Sequence, residues 1–258
     1  MTQIQTRLRI RFTKKDELRW ISHRDLARVW ERLLRRAEIC LAFSQGFHPK
    51  PKISFPSALA LGIEALDEVV ELEVLGAVDI TDLRSRISQQ VPPGMELLSL
   101  EVPRSKARIL GSTYCVDLPD ILLQTTRERI AELLRSDSIT VQRDGKPVNC
   151  SVRQPFFDIR IDANQLYFTL PNAVEGTSLR PSELLQVLEL GTLLESGSVL
   201  RRIRIHLNDE STSQDSSQVQ DTYHESERDP LRLVSFDNNE ELSNQGSLQE
   251  ISKEYNDA

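Results

Sequence analysis

Two hydrophobic periods meet within the first forty residues, and their order restricts the fold more than any other feature of the chain. Residues 7–12, Arg-Leu-Arg-Ile-Arg-Phe, alternate charged and apolar side chains, the period of a strand with one buried face. Leu8, Ile10 and Phe12 then point inward, and Arg7, Arg9 and Arg11 share a basic outer face. From Ser22 the period becomes helical: Leu26, Val29, Trp30, Leu33, Leu34 and Ala37 form one stripe, opened by Ser22-His23-Arg24-Asp25 in the form of a capping box. Arg24, Arg28, Arg32 and Arg35 fall on the opposite side. A strand and a helix that each carry one apolar face bury both by stacking in layers.

The rest of the chain extends that layering. Residues 39–43 and 53–60 read as short strands, 68–75 as a strand with Val70, Leu72 and Val74 inward, 79–90 as a helix and 95–102 as a strand. Strand, helix, strands, helix, strand is the order of a ferredoxin-like sandwich, with helices on one face of an antiparallel sheet. After Pro103-Arg104-Ser105 the order returns. Strands are expected at 107–118, 139–143, 148–153, 156–161, 165–170 and 200–207, with helices at 120–135 and from Ser182. The expectation is an α+β protein of two ferredoxin-like half-domains, residues 1–103 and 104–207, that repeat an element order but not a residue pattern. Glu64, Asp67, Glu68, Glu71 and Glu73 read as a solvated strand face, Cys40 as a small core side chain, and Trp20 and Trp30 as packing anchors.

Charge is unevenly spread. Residues 208–258 hold thirteen Asp or Glu and three Lys or Arg, with few apolar groups, so this tail is expected to be disordered. Within it, residues 229–236 are apolar enough to be a docking motif. Residues 1–60 hold thirteen Lys or Arg against five Asp or Glu, a surface that attracts phosphate and other anions and on which the acidic tail could compete with nucleic acid. Cys40, Cys115 and Cys150 lie 75 and 35 residues apart, which fits no zinc pair or iron–sulfur set, so no metal or cofactor is expected. With no apolar leader and no stretch long enough to span a bilayer, the expected location is cytoplasmic.

One segment exceeds what packing requires. Phe43-Ser44-Gln45-Gly46-Phe47-His48-Pro49-Lys50-Pro51-Lys52 sets a glycine, a histidine, two prolines and two lysines between apolar runs. Gly46 permits a positive φ, and Pro49 and Pro51 stiffen the backbone, so the loop should display His48, Lys50 and Lys52. His48 suits a general base, a phosphate ligand or a structural anchor, and His23 is the nearest second histidine in sequence. Were the loop to pack over the first helical turn, Ser22, His23, Arg24, Gln45, His48 and Lys50 would converge. The ligand-binding candidates are therefore Ser22, His23, Arg24, Arg28, Gln45, Gly46, His48, Lys50 and Lys52, with His48 and His23 the catalytic candidates. Aromatic residues are sparse, and Phe156-Phe157 lacks the glycine-rich setting of an RNA-recognition sheet, so base stacking on a sheet is not expected.

At Ser22-His23-Arg24-Asp25-Leu26, Arg35-Arg36-Ala37, Ser44-Gln45-Gly46-Phe47-His48-Pro49 and Leu59-Ala60-Leu61-Gly62, the chain resembles the radical SAM-linked protein family, the DUF2344 domain. The resemblance is strongest over residues 7–75, extends to about 207 and omits the acidic tail. Members of that family stand beside a radical SAM gene or are fused to a radical SAM protein. This chain lacks the three closely spaced cysteines that such an enzyme needs for its cluster. The resemblance therefore implies an accessory protein that binds or presents a substrate, with RNA one candidate. The alternatives are a hydrolase or nuclease-like enzyme using His48, and a pure protein-interaction module.

Overall fold

The computed structural model describes residues 4–172 and 178–209. The acidic tail beyond Asp209, with its candidate motif at 229–236, lies outside the described residues. The first half runs β1 (Gln5–Lys14), α1 (His23–Arg36), β2 (Ile53–Ser54), β3 (Glu64–Leu75), α2 (Ile80–Ser88) and β4 (Leu97–Glu101). The second runs β5 (Ile109–Asp117), α3 (Asp120–Arg135), β6 (Ser138–Arg143), β7 (Lys146–Ser151), β8 (Asp158–Asp162), β9 (Gln165–Pro171), α4 (Pro181–Val187), α5 (Thr192–Glu195) and β10 (Arg201–Leu207). The main sheet has the order β4-β1-β3-β10-β5-β9-β8, with β2 beside β3, and β6–β7 form a separate hairpin.

Leaving out the β6–β7 hairpin, the strands of each half stand in the order fourth, first, third, second, and all pair antiparallel within the half. This is the ferredoxin-like α+β order expected from the sequence. The expected two sheets are one: β10 pairs parallel with β3 through Arg201 opposite Glu64 and Arg202 opposite Ala65.

Leu8, Ile10 and Phe12 lose nearly all solvent beneath Leu26, Trp30, Leu33 and Leu34 of α1 and Leu83 and Ile87 of α2. Trp30 meets Phe12 edge-on, ring centroids 4.9 Å apart. A second core gathers Tyr114, Val116, Leu166 and Phe168 with Ile130, Leu133, Leu184 and Leu185. Burial of one such side chain stabilises by about 1.5–3 kcal/mol, which fixes the helices over one sheet face. At the start of α1, Ser22 Oγ accepts from the Asp25 amide at 3.1 Å and donates to Asp25 Oδ2 at 2.7 Å. The cap is a serine–aspartate clasp; the return bond of a capping box to the Ser22 amide is replaced by one to its hydroxyl.

The polar faces of β1 and β3 are not the solvated surfaces that alternation suggested. Arg9 is 2% exposed and Asp67 and Glu71 on its face are buried, while Glu68, also buried, alternates to the opposite, helix-covered face with Val70 and Leu72. Antiparallel register sets Arg7 opposite Glu73 and Arg9 opposite Glu71, so each cation faces a carboxylate. Arg9 bonds Glu71 Oε1 at 2.9 and 3.1 Å, Asp209 at 2.8 Å and the Ser105 carbonyl at 3.0 Å, while Arg11 pairs with Asp67. The segment linking the halves crosses this face, where the Ala107 amide donates to Glu71 at 2.9 Å. Alternation separates two faces of a strand, and what lies on the polar one is a long-range matter. Asp209, assigned to the tail by composition, is part of this face.

Other expectations also fail. Cys40 is exposed rather than in the core, between buried Ile39 and Ala42 on the edge of β3. Trp20 is 59% exposed, its ring under the Arg19 guanidinium at 5.1 Å and against Gly62, where an added Cβ would lie 3.0 Å from the indole. The expected strand at 53–60 shortens to Ile53–Ser54, and that at 39–43 to isolated bridges at Leu41 and Phe43.

At the seam between the halves lies a buried charge cluster on the helix-covered side. Lys14, Glu68 and Arg202 are 2%, 1% and 0% exposed. Arg202 pairs with Glu68 and donates to Ser57 Oγ at 3.0 Å, while Lys14 Nζ reaches the Arg19 and Ile21 carbonyls at 3.4 and 3.3 Å. Burial pushes the Glu68 carboxyl up, against the pull of Arg202, and pushes the Lys14 ammonium down.

Candidate functional site

The second strand of the first half is split in two. The Leu75 amide donates to the Cys40 carbonyl at 2.8 Å and the Ala42 amide to Glu73 at 2.8 Å, while the Glu73 amide donates to the Lys52 carbonyl at 3.1 Å. Residues 40–42 and 52–54 thus share one edge of β3, and residues 43–51 leave the sheet between them. A bridge between Phe43 and Pro51 closes the base of this excursion. Above it, the Ser44 amide donates to the Lys50 carbonyl at 2.9 Å, and the Lys50 amide to Ser44 Oγ at 3.0 Å. Gly46 has φ 134° with no heavy atom within 4 Å of an added Cβ, so backbone conformation and not packing asks for glycine there.

The pinned loop exposes its side chains. Gln45, His48, Pro49 and Lys50 are exposed, Phe43 is 50% exposed and Phe47 is fully exposed at 102%. Lys52 is half-buried and already engaged, with Nζ 2.6 Å from Glu73 Oε2 and 2.9 Å from Gln5 Oε1. The Lys52 hydrogen bond holds the Glu73 carboxyl below its usual range. Lys52 therefore anchors the base of the loop.

On α1, Arg24, Arg28, Arg32 and Arg35 are exposed, as the helical period requires. Arg28 pairs with Asp25 at 3.0 Å, an exposed contact of little energetic weight. Ser22 is committed to the helix cap. His23 is exposed and meets Phe55 edge-on, centroids 5.3 Å apart. Among the described residues, no hydrogen bond, ion pair or ring contact joins Ser22, His23 or Arg24 to Gln45, His48 or Lys50.

Phe43 and Phe47 were not among the residues singled out from the sequence. The local signal was Gly46 before Phe47 and Pro49 after it, which takes Phe47 out of a regular strand without deciding whether its ring packs. Among the described residues no His, Cys, Asp or Glu cluster could hold a metal ion, and no helix is long and apolar enough to cross a membrane.

The chain is similar over almost its whole described length to solved structures, but distantly. An unknown protein from Galdieria sulphuraria is 10% identical, with 79% of this chain and 99% of that chain covered and a TM-score of 0.25. A protein described as a candidate transcriptional repressor of the glycine cleavage system is also 10% identical, with 80% and 99% covered and a TM-score of 0.23. At such scores neither similarity carries an argument. No functionally curated protein matches the chain. A family model does match, over residues 7–181, which include both the helix start and the split strand with its loop. The chain belongs to DUF2344, a family of uncharacterized proteins conserved in bacteria.

Proposed function

We propose that this protein is a non-catalytic binding subunit of a radical SAM enzyme system in the cytoplasm, and that it holds or presents an RNA substrate. The observation that carries the reading is the pinned 43–51 loop, which displays His48 and Lys50 beside an uncovered Phe47, in a half whose α1 exposes five arginines. Backbone phosphates are recognised by such cations, and the binding is correspondingly salt-dependent. The β1 arginines take no part, since carboxylates neutralise them. The radical SAM association rests on the family resemblance; the wide spacing of Cys40, Cys115 and Cys150 supports an accessory role over that of the radical enzyme itself. Catalysis by His48 is the weaker reading, because no described residue is hydrogen-bonded to its ring to act as a partner.

The test is binding of a labelled RNA oligonucleotide over a salt series. Affinity should fall steeply with salt, and Lys50→Ala with Arg24→Ala and Arg32→Ala should flatten the slope. Salt-independent binding, or none, would overturn the RNA reading. RNA cleavage abolished by His48→Ala would replace it with the enzymatic one.

A further inference from the structure

The 43–51 loop carries chemistry that phosphate binding does not require. A loop built only to hold phosphates needs cations and amides. This one presents a phenylalanine ring with no protein contact covering it, at the far end of an excursion closed by a bridge and two hydrogen bonds. A whole aromatic ring held in water gives up the hydrophobic stabilisation that its burial would return. A stiff backbone prevents its relief: Gly46 at φ 134° turns the chain, and Pro49 and Pro51 fix the return. The ring is therefore held ready for something outside the chain.

What it is ready for follows from its surroundings. Residues 39–63 contain no Asp or Glu, in a chain with 39 acidic residues. A protein partner with an apolar pocket needs no such exclusion of carboxylates, whereas a polyanion does. His48 and Lys50 lie within three residues of the ring, and Gln45 adds a side-chain amide able to donate and accept. A flat apolar face, a cation nearby and no carboxylate within the loop itself, the Glu73 carboxylate at its base being taken up by Lys52, form the combination that binds unpaired nucleotides: bases stack on aromatic rings while cations track the backbone. A duplex offers no free base face, and its deep, narrow major groove excludes side chains.

We propose that Phe47 is a stacking platform for an unpaired base, so that the substrate class is single-stranded RNA, or the single-stranded part of a structured RNA. The inference rests on the RNA reading above and adds to it the strand state and the residue that reads it. The loop does this without a stacking sheet, consistent with the lack of one in the sequence.

The experiment measures fluorescence anisotropy of the full chain with three labelled probes: a ten-nucleotide oligouridylate, the same ribose-phosphate backbone without bases, and a ten-base-pair RNA duplex. The expected order is oligouridylate tightest. Phe47→Ala should weaken it by roughly 5- to 100-fold, in line with loss of one stacked base, and leave the abasic and duplex probes unchanged. Phe47→Trp should retain or improve binding. Because Phe47 touches nothing that holds the fold, its variants should keep the parent circular dichroism and melting curve. Binding of all three probes alike, untouched by Phe47→Ala, would overturn the stacking role while leaving phosphate recognition intact. Binding of none would overturn the RNA reading itself.

Discussion

Replacing Glu68 with leucine should be among the most damaging single changes in this protein, and the seam between the halves shows why. Glu68 is the carboxylate that both Arg202 and Lys14 face, and all three are buried. Without it, a guanidinium with no solvent exposure and an ammonium held only by two carbonyls at 3.3–3.4 Å remain uncompensated. Removing one partner of a buried pair costs about 3–5 kcal/mol, a large part of the roughly 5–15 kcal/mol that holds a domain folded. Arg202→Met should cost less, about 1–3 kcal/mol, since Lys14 still faces Glu68 and burial already favours its neutral form. Glu68→Leu with Arg202→Leu should recover much of the single-variant loss, because replacing both partners with apolar groups is often neutral. With a urea slope of about 3 kcal/mol/M, Glu68→Leu should lower the unfolding midpoint, read by circular dichroism, by about 1 M or more. Lys14 supplies a second readout. Burial lowers its pKa, so between the folded value and the ordinary lysine value the unfolded chain binds more protons, and stability rises with pH there. With Glu68 gone that rise should steepen. A Glu68→Leu midpoint within about 0.3 M of the parent, or a double variant weaker than the single, would refute the reasoning.

Asp209 is held below the usual carboxylate range: burial opposes this, but the Arg9 hydrogen bond and charge outweigh it. Its contribution is therefore present above the ordinary carboxylate range and lost as pH falls, and Asp209→Asn should flatten the acid limb of a stability–pH profile from urea midpoints. Gly94→Ala should destabilise by more than about 1 kcal/mol, because φ is +81° and the added Cβ would lie 2.7 Å from the Lys15 carbonyl oxygen; thermal melting reads this directly. Ser22→Ala should cost about 0.5–2 kcal/mol through loss of the α1 cap, again by melting. Truncation after Asp209 removes twelve Asp or Glu and three Lys or Arg while leaving the Arg9 contact in place, and should tighten RNA binding at low salt. Truncation after Leu207 would confound that measurement by stripping Asp209 from Arg9.

Most secondary structure was legible because it depends on short-range period. Leu8, Ile10 and Phe12 at a spacing of two, and Leu26, Trp30, Leu33 and Leu34 at helical spacing, announce which faces are buried whatever they pack against. The element order of each half follows from those periods, and the ferredoxin-like strand order follows from the element order. The loop at Gly46, Pro49 and Pro51 was legible for the same reason, since φ restrictions are local. The tertiary structure alone decided what the polar faces meet. Arg9 is a surface cation by sequence and a buried one in the fold, because Glu71 comes from a strand 62 residues away and the covering chain from residues near 105 and 209. It likewise decided that Lys52 is tied to Glu73 while the Lys50 side chain is exposed, and that Phe47 is fully exposed. Periodicity fixes which side of an element is apolar; whether a charge is neutralised, buried or offered to a ligand depends on what the rest of the chain brings beside it.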